Sequence, residues 1–360
     1  MAIDHIKNVK ISAVACAVPS DKLTAKDFYQ YLEKDVVDRF VKDVGVSQKF
    51  YSKDRKTITS DLCYEAAEEI FKKKDIDKES IDGLIFISQT PDYPAPATAC
   101  LLQYRLGLSE NCMAYDVNLG CSGYVYGLHM AASHLQSGYM KRILLLIGDT
   151  SDGVSPTVSL NDLLFGDCGS ATIVEYDEGS DGFKFDLRTI GSGFKALGAT
   201  TGLRYANIGN PSFDPSIHMD GLSIFTFSIS QVPKLFKSFL QSFNKIIEDY
   251  DTVLLHQANK SMLDVIIKKI KVDINKVPFS LNEYANTSSA TIPNLICHYY
   301  GENNIDKDLS VIMAGFGIGL SLGIADAKIN PKNILPIIST DITWDEGRQK
   351  VIEANDKLKK

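Results

Sequence analysis

Apolar and polar positions follow two rhythms along the chain. Continuous apolar runs at 11–18, 81–88, 142–147, 170–174, 252–255 and 309–314 read as strands of a sheet buried on both faces. Between them, 60–73 places Leu62, Ala66, Ala67, Ile70 and Phe71 on one helical face, and 124–135, 232–250 and 261–270 continue the helical pattern. The alternation predicts an α/β chain. The run at 11–18 follows Lys7 and Lys10 as a leader peptide would, but Asp4, its shortness and Pro19 favour a first strand. The apolar stretch 311–325 is broken by Gly315, Gly317, Gly319 and Gly323 and falls short of the ~20 residues a bilayer span needs. No membrane crossing is expected.

The elements recur in a weak internal echo. A helix followed by Ile81-Asp-Gly-Leu-Ile-Phe-Ile-Ser-Gln89 is matched by a helix followed by Tyr250-Asp-Thr-Val-Leu-Leu-His-Gln257. Asp116-Val-Asn-Leu-Gly-Cys-Ser-Gly123 corresponds to Asn282-Glu-Tyr-Ala-Asn-Thr-Ser-Ser289, and Phe165-Gly-Asp-Cys-Gly169 to Phe316-Gly-Ile-Gly-Leu320. Two similar halves, 1–178 and 179–329, follow from that order. A glycine-rich, irregular joint is expected over 177–215, and a C-terminal extension, 330–360, carries the only tryptophan, Trp344, in a mixed-charge helical segment.

Composition narrows the function classes. With 44% hydrophobic and 23% charged residues the 360-residue chain is of the soluble globular kind, which excludes long disorder and small disulfide scaffolds. A net charge of −7 argues against a nucleic-acid partner. The seven cysteines form no C-x-x-C pair and have no histidine at ligand spacing, so neither zinc nor a disulfide framework is expected. Free thiols in a reducing cytosol are the simplest reading, and the expected location is cytoplasmic.

Three residues are placed for chemistry. Cys121, between Gly120 and Gly123, sits where an apolar strand turns into a helix, and the helix N-terminus there is expected to lower its pKa toward a reactive thiolate. His256 ends a buried strand just before Gln257-Ala-Asn259, at the sheet edge where α/β proteins bind ligands. Asn286 occupies the second-half position that echoes Cys121, where its amide can cap a helix or donate to a carbonyl oxygen gaining charge. His129 and His134 read as structural.

The stretches Asp116-Val-Asn-Leu-Gly-Cys-Ser-Gly-Tyr124, Leu164-Phe-Gly-Asp167, Leu255-His-Gln-Ala-Asn259, Asn286-Thr-Ser-Ser-Ala-Thr-Ile-Pro293 and Phe316-Gly-Ile-Gly-Leu320 resemble the motifs of the β-ketoacyl-acyl-carrier-protein synthase III family, in the thiolase-like superfamily. The resemblance spans about 5–328 in the family's order. It implies a five-layered αβαβα fold of two similar halves and a homodimer. It further implies that Cys121 accepts an acyl primer and that His256 and Asn286 hydrogen-bond a malonyl thioester on acyl carrier protein. The malonyl group then loses CO₂ and condenses with the primer by a decarboxylative Claisen reaction, giving 3-ketoacyl-acyl-carrier protein. The backbone N–H groups of Cys121 and Gly319 form the oxyanion hole in that reading, and no metal or redox cofactor is required. An elongating relative has a second histidine where this chain has Asn286. A thiolase has a second cysteine in the stretch Phe316 to Gly323.

Some positions depart from the family and bear on substrate. Arg39 and Asp43 stand where typical members grip coenzyme A with Trp and Arg, and Ser159 and Ser261 stand near two further arginine positions. These departures point to a carrier-protein thioester or an unusual primer as acyl donor rather than plain acetyl-CoA. Lys260, Lys268 and Lys269, with Lys271, form a local basic face for an acidic carrier protein. Ala95 replaces a larger side chain that relatives donate across the dimer to the acyl pocket, and Tyr93 is a candidate to fill the space. The alternatives are an acyltransferase passing its acyl group to a non-malonyl acceptor, and a non-catalytic carrier-protein-binding scaffold.

Overall fold

The computed structural model describes residues 2–53, 55–151, 159–199, 217–303 and 305–347, together with 349 and 353. Two sheets form its middle. The first is six-stranded, in the order Ile338–Ser339, Val9–Val18, Cys168–Tyr176, Arg142–Asp149, Gly83–Ile87, Met113–Val117. The second is five-stranded, in the order Ala2–Ile6, Phe183–Thr189, Ser321–Ile329, Leu309–Gly317, Thr252–Leu255. Both are mixed. Gly83–Ile87 runs parallel to both of its neighbours, while Cys168–Tyr176 is antiparallel to Val9–Val18 and to Arg142–Asp149. In the second sheet only Thr252–Leu255 pairs in parallel, with Leu309–Gly317.

The continuous apolar runs have the cause the pattern predicts. In Arg142–Asp149, Ile143, Leu145 and Ile147 face the space between the sheets, while Leu144 and Leu146 face outward under a helical layer. A strand with both faces covered has no position to give to water. Helices Gly123–Leu135 and Thr291–Tyr300 fill the central layer, where Leu128, Ala131, Leu135, Ile292, Leu295 and Ile296 share one cluster with both sheets. Thr59–Lys74 and Thr98–Leu106 cover the outer face of the first sheet. Gly221–Ser242 and Lys260–Ile270 cover that of the second. The result is a thiolase-like αβαβα sandwich of five layers.

Three expectations about elements change. The helix expected over 232–250 runs from Gly221 to Ser242, with Pro233 inside it, and a separate short 3-10 turn covers Ile247–Asp249. The joint expected to be irregular contains the strand Phe183–Thr189, which pairs on both sides; the part at 200–216 lies outside the described residues. In the extension, Ile338–Ser339 adds a parallel edge strand to the first sheet. Trp344 stands just before the helical residues 345–347, over the Arg105 guanidinium at 5.7 Å and near Tyr104 at 6.5 Å. Among the described residues no helix is long and apolar enough to cross a membrane.

Candidate active site

Cys121 lies in the turn that opens helix Gly123–Leu135, closed by the Gly123 N–H donating to the Gly120 carbonyl at 2.6 Å. Its side chain is buried against the glycine-bearing stretch of the second sheet. A Cβ on Gly317 would lie 2.8 Å from Sγ, so only glycine allows the strand to approach this closely. The backbone N–H groups of Cys121 itself and of Ile318, and the Ser288 hydroxyl, favour the charged form of the sulfur. The lowered pKa expected of the helix N-terminus is overturned: desolvation outweighs these groups and pushes the thiol up to about 11. The resting Cys121 side chain is a protonated thiol.

His256 continues the ladder beyond Thr252–Leu255, its N–H donating to the Ala314 carbonyl at 2.9 Å. The ring is buried, with its edge set at 90° and 5.4 Å to Phe316, and Nδ1 lies 2.6 Å from the Thr291 hydroxyl. Burial lowers its pKa to about 3, so the imidazole is neutral at physiological pH. When Thr291 donates to Nδ1, the neutral ring carries its one proton on Nε2 and is a hydrogen-bond donor there. The rest of the motif is scaffolding. Gln257 accepts from Ser280 N–H at 3.1 Å and donates to the Leu255 carbonyl at 2.8 Å, while Asn259 caps helix Lys260–Ile270 through Met262 N–H at 2.8 Å.

Asn286 is held from the other half. Its N–H donates to the Leu164 carbonyl at 3.0 Å, and Gly166 N–H donates to the Asn286 carbonyl at 3.1 Å. A Cβ on Gly166 would meet the Tyr284 carbonyl oxygen at 2.3 Å, which accounts for the glycine in Leu164-Phe-Gly-Asp167. Ala285 and Ser288, at φ of 59° and 50°, bend the chain around the asparagine. The side-chain oxygen accepts from Ser288 N–H at 2.9 Å, which leaves the amide nitrogen as the donor end.

The Asn286 loop lies against the Cys121 turn, where a Cβ on Gly123 would meet Ser289 Cβ at 3.4 Å, while Phe316 and Gly317, adjacent in sequence, touch His256 and Cys121 respectively. These contacts bring the three candidates into one site. Sequence reasoning missed the groups that hold it. Asp149 ends an apolar strand and is buried; it accepts from Ser88 Oγ and Gln89 N–H on one side and from Ser289 N–H and Oγ, at 3.1 and 2.7 Å, on the other. Asp167 accepts from Ser52 N–H and from Ser151 N–H and Oγ, with the charge of the buried Lys49 nearby. An acid closing a run of five apolar residues was the available signal for Asp149.

The outlying candidates are placed differently. Lys260 is exposed and paired with Asp264 at 2.5 Å, Lys269 donates to the Ile229 carbonyl at 2.8 Å, and Lys268 is exposed in the last turn of the same helix. Tyr93 donates its hydroxyl to the Gly347 carbonyl at 3.4 Å, toward the C-terminal extension. Ala95 is exposed. Ser261 Oγ donates to the Asp43 carbonyl at 2.6 Å, joining two of the segments expected to depart from the family. Of the seven cysteines, six are buried and Cys100 is exposed.

Residues 115–191 match the family described as 3-oxoacyl-[acyl-carrier-protein] synthase III, and residues 240–329 match its C-terminal part. A β-ketoacyl-[acyl-carrier-protein] synthase III of Clostridium perfringens is 30% identical over 333 residues, covering 90% of this chain and 100% of that protein. One of Streptococcus pneumoniae is 34% identical over 322 residues, covering 87% and 97%. The crystal structure of a 3-oxoacyl-(acyl-carrier protein) synthase from Burkholderia xenovorans superposes with a TM-score of 0.87 at 35% identity, covering 94% of this chain and 99% of that one. With its nucleophile turn, its His and Asn loops and these relatives in agreement, the chain belongs to the β-ketoacyl-acyl-carrier-protein synthase III family.

Proposed function

We propose that the protein is an initiation-type condensing enzyme that loads an acyl primer on Cys121 and condenses it with malonyl-acyl-carrier protein. The observation that carries this reading is the packing of the Cys121 sulfur against Gly317, whose neighbour Phe316 lies on a neutral buried His256, together with an Asn286 whose amide nitrogen is left to donate. In the first step Sγ attacks the donor thioester, the N–H groups of Cys121 and Gly319 stabilise the oxyanion, and the donor thiol leaves with the proton. In the second, His256 Nε2 and the Asn286 amide hydrogen-bond the malonyl thioester carbonyl. Loss of CO₂ then leaves an enolate that attacks the acyl-Cys121 carbonyl; the carbon–Sγ bond breaks, the 3-ketoacyl group stays on the carrier protein, and the departing Cys121 sulfur takes up a proton. Neutral donors suit this step, because an enolate oxygen gains charge without needing a proton removed by a strong base. The scheme calls for no metal or redox cofactor.

The same reading takes the chain as two similar halves, 1–178 and 179–329, with an extension over 330–360; the matching roles of Phe165-Gly166 and Phe316-Gly317 at the site support it. A cytoplasmic homodimer is proposed. The edge strand Met113–Val117, paired on one side only and with every residue half-buried, supports pairing with a second copy. Lys260, Lys268 and Lys269 are proposed to meet the carrier protein, and Ala95, with Tyr93, to border the acyl pocket across that dimer. The replaced coenzyme A contacts favour a carrier-protein thioester as donor. Release of CO₂ from malonyl-acyl-carrier protein tests the reading: it is expected from the wild type and lost in His256→Ala and Asn286→Ala, and unchanged release in both variants would refute it. Efficient acylation by acetyl-CoA alone would refute the donor preference.

A further inference from the structure

Next to the nucleophile stands an amide that the reaction scheme leaves unused. Gln89 follows strand Gly83–Ile87, and its backbone N–H is fixed by Asp149 Oδ1 at 2.7 Å. A Cβ on Gly120 would lie 2.3 Å from Gln89 Oε1, 2.9 Å from its Cδ and 2.7 Å from Ile318 Cγ2. The amide therefore lies on the backbone of the residue before Cys121, beside the Ile318 side chain. Its oxygen end faces Gly120, which leaves the Nε2 hydrogens as the free end. Among the described residues this half-buried amide has no hydrogen-bond partner. A hydrocarbon acyl chain packed over it would strip water from a donor and give nothing back, whereas an acceptor oxygen on that chain would replace the lost water.

We infer that Gln89 is a specificity-determining residue: its amide donates to an oxygen substituent of the acyl group on Cys121, so hydroxy- or keto-substituted acyl donors are favoured over plain hydrocarbon ones of equal length. The inference rests on the acyl-Cys121 reading above. The bond changes are those of thioester exchange: the Cys121 Sγ–carbon bond forms, the donor sulfur–carbon bond breaks, and the thiol proton passes to the departing thiol. The substituent oxygen takes part in none of them.

The test uses the full chain and two thioesters on the same carrier protein, butanoyl and 3-hydroxybutanoyl, with acylation of Cys121 followed by intact-protein mass spectrometry. The wild type is expected to take the hydroxylated donor at least about tenfold more efficiently in kcat/KM, and Gln89→Met and Gln89→Leu to shrink that ratio about tenfold. Equal efficiencies in the wild type, or a ratio that both variants leave unchanged, would overturn the inference while leaving acylation of Cys121 intact. Acylation by neither thioester would overturn the underlying reading as well.

Discussion

In the two-half organisation proposed above, the Cys121 turn and the Asn286 turn occupy corresponding places, yet each is held by the other half. Cys121 belongs to the first half, and the glycine that lies against its sulfur comes from the second. Asn286 belongs to the second half, and the Leu164 carbonyl, the Gly166 N–H and the Asp149 carboxylate that fix its loop come from the first. The two grips are the echoed stretches Phe165-Gly166 and Phe316-Gly317. A site assembled this way exists only when both halves are docked, so packing between the halves sets the geometry of the chemistry.

That crosswise arrangement predicts separable failures. The largest come from the donors themselves: His256→Ala and Asn286→Ala are each expected to lower condensation on the order of 10²–10³-fold while Cys121 still accepts the primer. Equal loss of both steps in these variants would erase the division of labour. Next come the glycines. Gly317→Ala places a methyl against Sγ and is expected to cost acylation about 100-fold, whereas Gly166→Ala drives a methyl into the Tyr284 carbonyl and is expected to cost condensation by a similar factor with acylation spared. Separate single-turnover assays of the two steps check this, and loss of the same step in both variants would break the comparison.

The remaining effects are on stability and pH. Phe316→Ala removes a buried ring that also borders His256, and an expected loss of about 3–5 kcal/mol would be read from denaturant unfolding. With its thiol pushed up to about 11, Cys121 should react with iodoacetamide at a rate that rises about tenfold per pH unit between about pH 7 and 10; levelling below about pH 8 would show a thiolate instead. His256 is lowered to about 3 in the folded chain, so the unfolded chain binds its proton first as the pH falls. Its contribution to stability is full above about pH 6.5 and is lost progressively toward pH 3. Unfolding midpoints of wild type and His256→Gln, compared across that range, read the contribution.

Much of this was legible in the residues. The apolar runs gave the two-faced strands because burial on both sides removes the polar half of the usual alternation, and the glycines flanking Cys121 marked a turn tight enough to hold a nucleophile. The helix over 221–242 started earlier than its periodicity implied, since Asp220 caps it by accepting from Ser223 N–H at 3.1 Å. The thiol's raised pKa was hidden because a helix N-terminus is visible in a sequence, but the depth at which it is buried is set by a strand nearly two hundred positions away. Thr291 was hidden for the same reason: its role lies in a partner, His256, that only the folded chain brings near.

The central claim is that Cys121 becomes acylated in a site built by both halves. Intact-protein mass spectrometry with peptide mapping, after exposure to an acyl-carrier-protein thioester, tests it most directly. The account predicts a single acyl adduct on Cys121, absent from Cys121→Ala and much slower to form in Gly317→Ala. No adduct, an adduct on another cysteine, or full-speed acylation of Gly317→Ala would contradict it.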